Sequence, residues 1–514
     1  MSINSAMSIA QTGLQANQYA ITVVSNNIAN VNTKGFCKQR VDFAEIGGYN
    51  RIPTANGIEY TGAGVQIAAL QSYRNDYLDD CYRSNNSNSE GDALMANYAG
   101  YIESLFDSEL DGNGLSGAIN DFYDAAQKLS TSPSDVMART NYMEKANSLA
   151  STFNSLAGAL NSYTESIAGD YQQPGGAESS QIGLTVNKIN ELLGQIADLN
   201  GSVAQNSDNS SILGARSALM DELSTLTSYE TTYNDNGTIN ISIAGTTVVK
   251  ALEQPCKLKC SSGTADEPCI VSLVDDEGKP VKGGADINSS LKSGELGALL
   301  QLANGTDETK FSIQKVSAKL DKLASEFAQA INDVQTYNDG SVAAMAMTTD
   351  KRLTPVGEND VIFMSKDGST DNITASNISI NFDILDNPQK LAAARVEINP
   401  DGAPVDDKAI GDNKNVLAVI ATRDNGIAGL NNLSPADYFK SLVSQIGSEV
   451  STLNSNAEVS QALTDSVASQ RDAEMGVNVD EELINLIKYQ RAYEASARVL
   501  SVANSVYDTL LSIV

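Results

Sequence analysis

Histidine is absent from the 514-residue chain, and so is tryptophan. Without imidazole there is no Ser-His-Asp or Cys-His nucleophile, no HExxH zinc helix and little acid–base chemistry near neutral pH. Aromatic residues make up only 6 %, so a core must be built mainly from alanine, leucine, isoleucine and valine. Basic residues are scarce as well. Lysine and arginine total 34 against 64 aspartates and glutamates, a formal charge of −30. Such a surface repels nucleic acid and anionic membrane, both of which need a positive partner. The length suggests about three domains.

Cysteine is sparse: Cys37, Cys81, Cys256, Cys260 and Cys269. An odd number scattered along so long a chain is not a disulfide framework. The last three lack common zinc-finger spacing, and no histidine completes a fourth ligand. In one strand Cys256 and Cys260 would sit about 13 Å apart, too far to bridge. Free thiols are the plainest reading; a Cys260–Cys269 hairpin pair and a metal site stay open. Long apolar runs are missing too. No charged residue precedes Lys34, unlike a Sec-type signal. Polar side chains interrupt the stretch from Ser5 to Val24, unlike a membrane span. The expectation is a soluble protein without a Sec-type signal.

What is present is a pair of heptad patterns. Met7, Leu14, Ile21 and Ile28 recur every seven residues, interleaved with Ile3, Ala10, Asn17, Val24 and Val31. At the other end Val479, Leu486, Tyr493, Leu500, Tyr507 and Val514 alternate with Leu483, Gln490, Ala497, Asn504 and Leu511. A 3.5-residue period is the seam of a coiled coil. Two ordinary amphipathic helices on a globular core would show a similar pattern. Charge separates the readings, because a surface helix carries charges on its outer face. The first helix has none, and its outer positions are Ser, Ala, Gln, Asn and Thr. The ends are therefore expected to meet, poorly ordered alone and packed on assembly. The first helix is expected to stop at Asn30–Gly35, with Gly35 as a cap.

Between the ends the chain is mostly helical. Ser132-Pro133-Ser134-Asp135 predicts a helix start with Ser132 as N-cap and Pro133 in the first turn. Amphipathic stretches follow through Met143–Leu160, Ile182–Leu199, 307–336 and 434–473. Residues 229–285 change period: strand-like runs flank Asn234-Asp235-Asn236-Gly237, a hairpin signal. Residues 340–380 are rich in Gly, Asp and Thr and predict a small β or loop-rich insertion.

Candidate chemistry is thin. Asp79-Asp80, Asp111-Gly112-Asn113-Gly114 and Asp275-Asp276-Glu277-Gly278 do not follow the EF-hand spacing and read as turns or solvated acids. Tyr60-Thr61-Gly62-Ala63-Gly64-Val65 is an incomplete nucleotide fingerprint. No catalytic, cofactor or metal site is expected.

Ser25-Asn26-Asn27-Ile28-Ala29-Asn30-Val31-Asn32-Thr33-Lys34-Gly35-Phe36 resembles the N-terminal signature of the bacterial flagellar axial proteins. Val477-Asn478-Val479-Asp480-Glu481-Glu482-Leu483, continuing through Leu486 to Tyr493, resembles their C-terminal signature. The blocks Leu129–Asp135, Ile189–Asn200, Asp221–Ser224 and Ser293–Leu300 resemble the hook-associated members rather than hook or rod proteins. Gly214–Met220 departs from a run that is often more charged in the family, and cysteines are unusual there.

The resemblance implies a mainly α fold with β insertions, discontinuous and multi-domain. Residues 1–58 and 474–514 would form a terminal coiled-coil domain lining an inner tube. Residues 59–339 and 376–473 would form a helical core with a β segment near 229–285, and 340–375 a small outward-facing insertion. It implies a structural, non-enzymatic subunit exported unfolded through the flagellum's own type III channel. Such subunits form a homo-oligomeric ring between hook and filament. Partners would be the hook protein, a second, filament-side hook-associated protein, and an export chaperone holding the C-terminal helix. Expected assembly contacts are Met7, Leu14, Ile21, Ile28, Leu483, Leu486, Tyr493, Leu500, Tyr507 and Leu511, with Gln490 and Asn504 as buried polar register setters. The alternatives are another axial protein (hook or rod) or a secreted adhesin or enzyme with flagellar-type ends.

Overall fold

The computed structural model describes residues 3–46, 50–54, 57–110, 112, 114–206 and 209–513. The chain begins with helix α1 (Ile3–Ala29). Two antiparallel ribbons follow: β1 (Gln39–Glu45) pairs with β4 (Val65–Ser72), and between them β2 (Asn50–Thr54) pairs with β3 (Gly57–Thr61). The helix ends where the asparagine-rich run begins, but Gly35 does not cap it. Gly35 lies six residues beyond Ala29 at φ +74°, in the turn that leads into β1. A Cβ there would collide with the Gly214 carbonyl, so glycine is required by a close backbone approach.

Helices α2 (Asp76–Ser108), α3 (Leu115–Thr131) and α4 (Val136–Ala168) build the first half of the body. The start of α4 differs from the sequence expectation. Its N-cap is Asp135, whose side chain accepts from the Met137 amide, whereas Ser132 closes the end of α3. The Pro133 carbonyl instead accepts a 2.7 Å bond from the buried Arg139 Nε, which pulls the turn inward and delays the helix by three residues. The short α5 (Gly176–Ser179), then α6 (Gln181–Gln205) and α7 (Ser210–Leu226), complete this layer.

The β segment is as the period change predicts. Strands β5 (Glu230–Tyr233), β6 (Ile239–Ile243) and β7 (Thr246–Lys250) form a meander, and β8 (Lys257–Ser262) pairs with β9 (Cys269–Val274). Ile239, Ile241 and Ile243 are fully buried while Asn240 and Ser242 alternate between them, the pattern of a strand with one face on a core. In the β8–β9 ladder Cys260 stands opposite Val271, two residues from Cys269. The two thiols thus share a face as diagonal neighbours, and they are joined as a disulfide with Cα atoms 6.6 Å apart. Free thiols hold only for Cys37, Cys81 and Cys256.

Helices α8 (Gly294–Asn304) and α9 (Ile313–Gln335) carry much of the buried core. The next stretch holds β10 (Val342–Met347), β11 (Leu353–Pro355), β12 (Phe363–Ser365), β13 (Ile378–Ile380), α10 (Phe382–Asp386) and β14 (Ala394–Glu397). β10 sits between β11 and β14 in a sheet with its own small core of Ala343, Met345, Leu353 and Ala394, so this unit reaches past residue 375. The β12–β13 pair instead delivers Phe363, Ile378 and Ile380 to the main core. There Phe122 meets Tyr142 at 4.9 Å and Phe327 at 5.4 Å between ring centroids, and Phe327 meets Phe363 at 5.6 Å. Helix α11 (Lys414–Asp424) leads to α12 (Pro435–Met475), which returns along α2, and α13 (Val479–Ile513) ends the chain.

Candidate assembly interface

The ends meet as two nested antiparallel helix pairs. Asn75 bonds Glu474, Ser89 bonds Gln461 and the Phe106 ring lies 6.2 Å from Phe439, so α2 and α12 run side by side along their length. Beyond Gly476 the pairing passes to α1 and α13. Asn27 bonds Glu482, Tyr489 packs on Ala20 and Val23, and a Cβ on Gly13 would stand 3.2 Å from Ser496 Oγ. Gly13, Ala20 and Asn27 therefore repeat every seven residues opposite Ser496, Tyr489 and Glu482. Small residues at the contact let the two backbones approach closely. The β1–β4 ribbon covers a flank of the pair, with Val41 and Leu70 beside Tyr489 and Phe43 edge-on to the Tyr489 ring at 6.1 Å.

Asn27 is the polar centre of this contact. It is wholly buried; its Nδ2 donates to the Gln39 carbonyl at 2.8 Å and to Glu482 Oε2 at 3.1 Å, while Gln39 N–H donates to its Oδ1 at 3.1 Å. One side chain thus ties together the end of α1, the start of β1 and the start of α13. Burial holds the Glu482 carboxyl above its ordinary range; the bond from Asn27 opposes that shift, and the charge of Glu481 adds to it. Lys38 pairs with Glu481 at 3.4 Å, and its amide donates to the Met475 carbonyl at 2.9 Å.

Just below, two arginines and two aspartates lock α2, α7 and α12. Arg83 Nε lies 2.9 Å from Asp221 Oδ1, and Arg471 Nη1 lies 2.8 Å from Asp221 Oδ2. Asp79, only 1 % exposed, has Arg83 at 3.8 Å and Arg471 Nε at 2.7 Å. The latter contact lacks hydrogen-bond alignment, so charge attraction holds it. Burial opposes the charge on Arg83, but Tyr229, Asp221 and Asp79 together hold its pKa well above the ordinary arginine value.

The predicted contact residues divide into two groups. Met7, Leu14, Ile21 and Ile28 are half-buried and flank the intrachain contact, whose centre lies one position earlier. On α13, Leu486, Tyr493 and Leu500 are half-buried. The other half of that seam is displaced by one residue: Glu482, Tyr489, Ser496 and Ala503 turn toward α1, while Leu483, Gln490 and Asn504 are exposed. Gln490 and Asn504 are therefore not buried within the protomer. Tyr507 is also exposed, at 46 %. The side chain of Leu511, and Val514, lie outside the described residues. Sequence reasoning missed Gly13, Asn27, Glu482 and Ser496, because a hydrophobic template passes over small and polar residues.

On the side of α13 turned away from α1 lies a second apolar face. Ile484 and Val502 are eighteen residues apart, five helical turns, and so share one line along the helix. They are 68 % and 62 % exposed. Ile487, Val499 and Val506 flank them and are exposed as well, interspersed with Lys488, Arg491 and Arg498. Among the described residues no group of Cys, Asp and Glu side chains is arranged to hold a metal ion, and no helix is long and apolar enough to cross a membrane.

Comparison with known proteins follows this geometry. Residues 7–36 match the family described as flagella basal body rod protein, and 468–513 that described as flagellar basal body rod FlgEFG protein C-terminal. Residues 99–340 match the flagellar hook-associated protein FlgK helical domain. The chain is 24 % identical to flagellar hook-associated protein 1 of Salmonella typhimurium, over 99 % of this chain and 100 % of that one. With the protein of the same name from Bacillus subtilis it shares 25 % over 98 % of this chain and 97 % of that one. The solved flagellar hook junction protein FlgK from Burkholderia pseudomallei has the same fold, with a TM-score of 0.56 at 15 % identity, covering 77 % of this chain and 100 % of that one. Rod-type ends around a hook-associated middle are the plan of a flagellar axial protein. The chain is a structural component of the flagellum rather than an enzyme, similar over nearly its whole length to flagellar hook-associated protein 1.

Proposed function

We propose that copies of this chain form the ring that joins hook to filament, with residues 1–58 and 474–514 as its inner tube. The observation that carries this reading is the exposed apolar face of α13. Five large aliphatic side chains, from Ile484 to Val506, face water on one side of α13. Exposed apolar side chains aligned along a helix mark an interaction site, and burying each contributes about 1.5–3 kcal/mol. The terminal pairs of neighbouring copies cover this face, and Leu483, Gln490, Asn504, Tyr507 and Leu511 reach neighbours beside it. The helical body of α2 to α9 with α11 and α12 forms the outer layer, and the sheet of β10, β11 and β14 faces outward. The hook protein adjoins one side of the ring and a second hook-associated protein the filament side. Before secretion through the flagellar channel, an export chaperone holds the same face of α13.

Ile484→Glu with Val502→Glu tests the reading in a cell lacking the native chain. The variant is expected to be folded as a purified monomer, to be exported, and to leave cells without attached filaments. Normal filament attachment and motility with both substitutions would overturn it.

A further inference from the structure

Arginine is scarce in this acidic chain, yet Arg74, Arg83 and Arg216 line one cavity of about 220 Å³ where the start of α2 meets α7 and the β5–β6 turn. Their circumstances differ. Arg83 is neutralised by Asp221 and Asp79. Arg74 gives its donors to uncharged groups, the Leu213 carbonyl at 3.1 Å, the Gly35 carbonyl at 3.4 Å and the Cys37 sulfur at 3.6 Å. Arg216 is 5 % exposed; its Nη1 donates to Asn200 Oδ1 at 2.8 Å and the Gly237 carbonyl at 2.9 Å, and its buried Nε has no partner. Among the described residues no carboxylate forms an ion pair with Arg74 or Arg216.

A buried guanidinium without an anion is costly, and proteins ordinarily place a carboxylate beside it. Here burial, with the nearby charge of Arg74 adding, lowers the Arg216 pKa to about 10, which still leaves it charged at neutral pH. The rest of the lining is mixed, with Leu213 and Met220 apolar. Asn234 and Thr238 are polar, and the first turn of α2 presents the positive end of a 33-residue helix. Two carboxylates share the wall. Asp79 is already held between Arg83 and Arg471, and Asp76, exposed at the helix start, offsets part of the remaining charge.

The geometry points to this cavity as a binding site for a small oxyanion of the phosphate or sulfate type, held by Arg216 and Arg74 against the first turn of α2. The bound ion would brace α2 against α7 and, through the bond from Arg74 to the Gly35 carbonyl, steady the turn from which α1 departs.

The test is titration of the full chain with inorganic phosphate, read by calorimetry and by thermal midpoint, against sodium chloride at matched ionic strength. Saturable one-site binding is expected. Arg74→Gln should weaken it about tenfold, the worth of one charge-assisted contact. Asp76→Asn should tighten it several-fold by removing the nearby negative charge. Neither variant removes a residue of the main core, so both are expected to keep the wild-type circular dichroism. Absence of saturable binding in wild type and Asp76→Asn alike overturns the inference. So does chloride giving equal stabilisation, or phosphate binding that neither substitution changes.

Discussion

Replacing Asn27 by alanine is the sharpest probe of how the two ends are held. Three hydrogen bonds disappear, two to the Gln39 backbone and one to Glu482. Each neutral bond contributes about 1 kcal/mol and the one to a carboxylate about 1.5–3 kcal/mol, with the abandoned partners left buried. Alanine returns about 0.5 kcal/mol through helix propensity. A net loss of about 3–4 kcal/mol follows, all of it in the contact among α1, β1 and α13. Backbone hydrogen exchange over residues 479–496 of the monomer should therefore accelerate by roughly two to three orders of magnitude, while the body near α4 and α6 is unchanged. Asn17→Ala is the control, since among the described residues Asn17 Nδ2 bonds within its own helix, to the Gly13 carbonyl. The reasoning fails if Asn27→Ala changes exchange in α13 by less than tenfold. It fails equally if the native α13 is already unprotected, because the contact would then form only between assembled subunits.

Two further outcomes are expected. Because the folded pKa of Glu482 is raised, mainly by burial, the terminal contact gains stability as pH falls through that folded value and loses it as pH rises. Protection of α13 amides, the intrinsic exchange rate divided by the observed one, should thus rise on acidification from neutral pH toward the ordinary carboxylate range, and Glu482→Gln should be protected throughout; a flat native protection profile would contradict this. Arg83→Met removes one partner of a buried ion cluster and should cost about 3–5 kcal/mol, because Asp79 and Asp221 lose a counter-charge. A thermal or urea midpoint equal to that of the native chain would show that the cluster holds nothing together.

Periodicity made the main outline readable from the chain alone. Heptads at both ends, the absence of charge before Lys34 and the paired signatures around Asn27 and Leu483 pointed to terminal helices that meet. Alternation in Ile239–Ile243 after Asn-Gly announced the β meander. These are local patterns, set by which face of a regular element turns from water. The phase of the seam was a different matter. A heptad template ranks positions by hydrophobicity, so it favoured Leu483, Gln490 and Asn504 on the strength of spacing, whereas the backbone approach at Gly13 and Ser496 turned Glu482, Tyr489 and Ala503 inward. The Cys260–Cys269 pairing depended on strand register, and the start of α4 on a bond from Arg139 to the Pro133 carbonyl. The sequence by itself determined the class of the protein and its helical ends. Only the tertiary structure decided which face of α13 meets α1, which face stays open, and how Arg83, Asp79, Asp221 and Arg471 come together across the chain. Those outcomes depend on close packing and on charges brought together from distant segments, which no local period encodes.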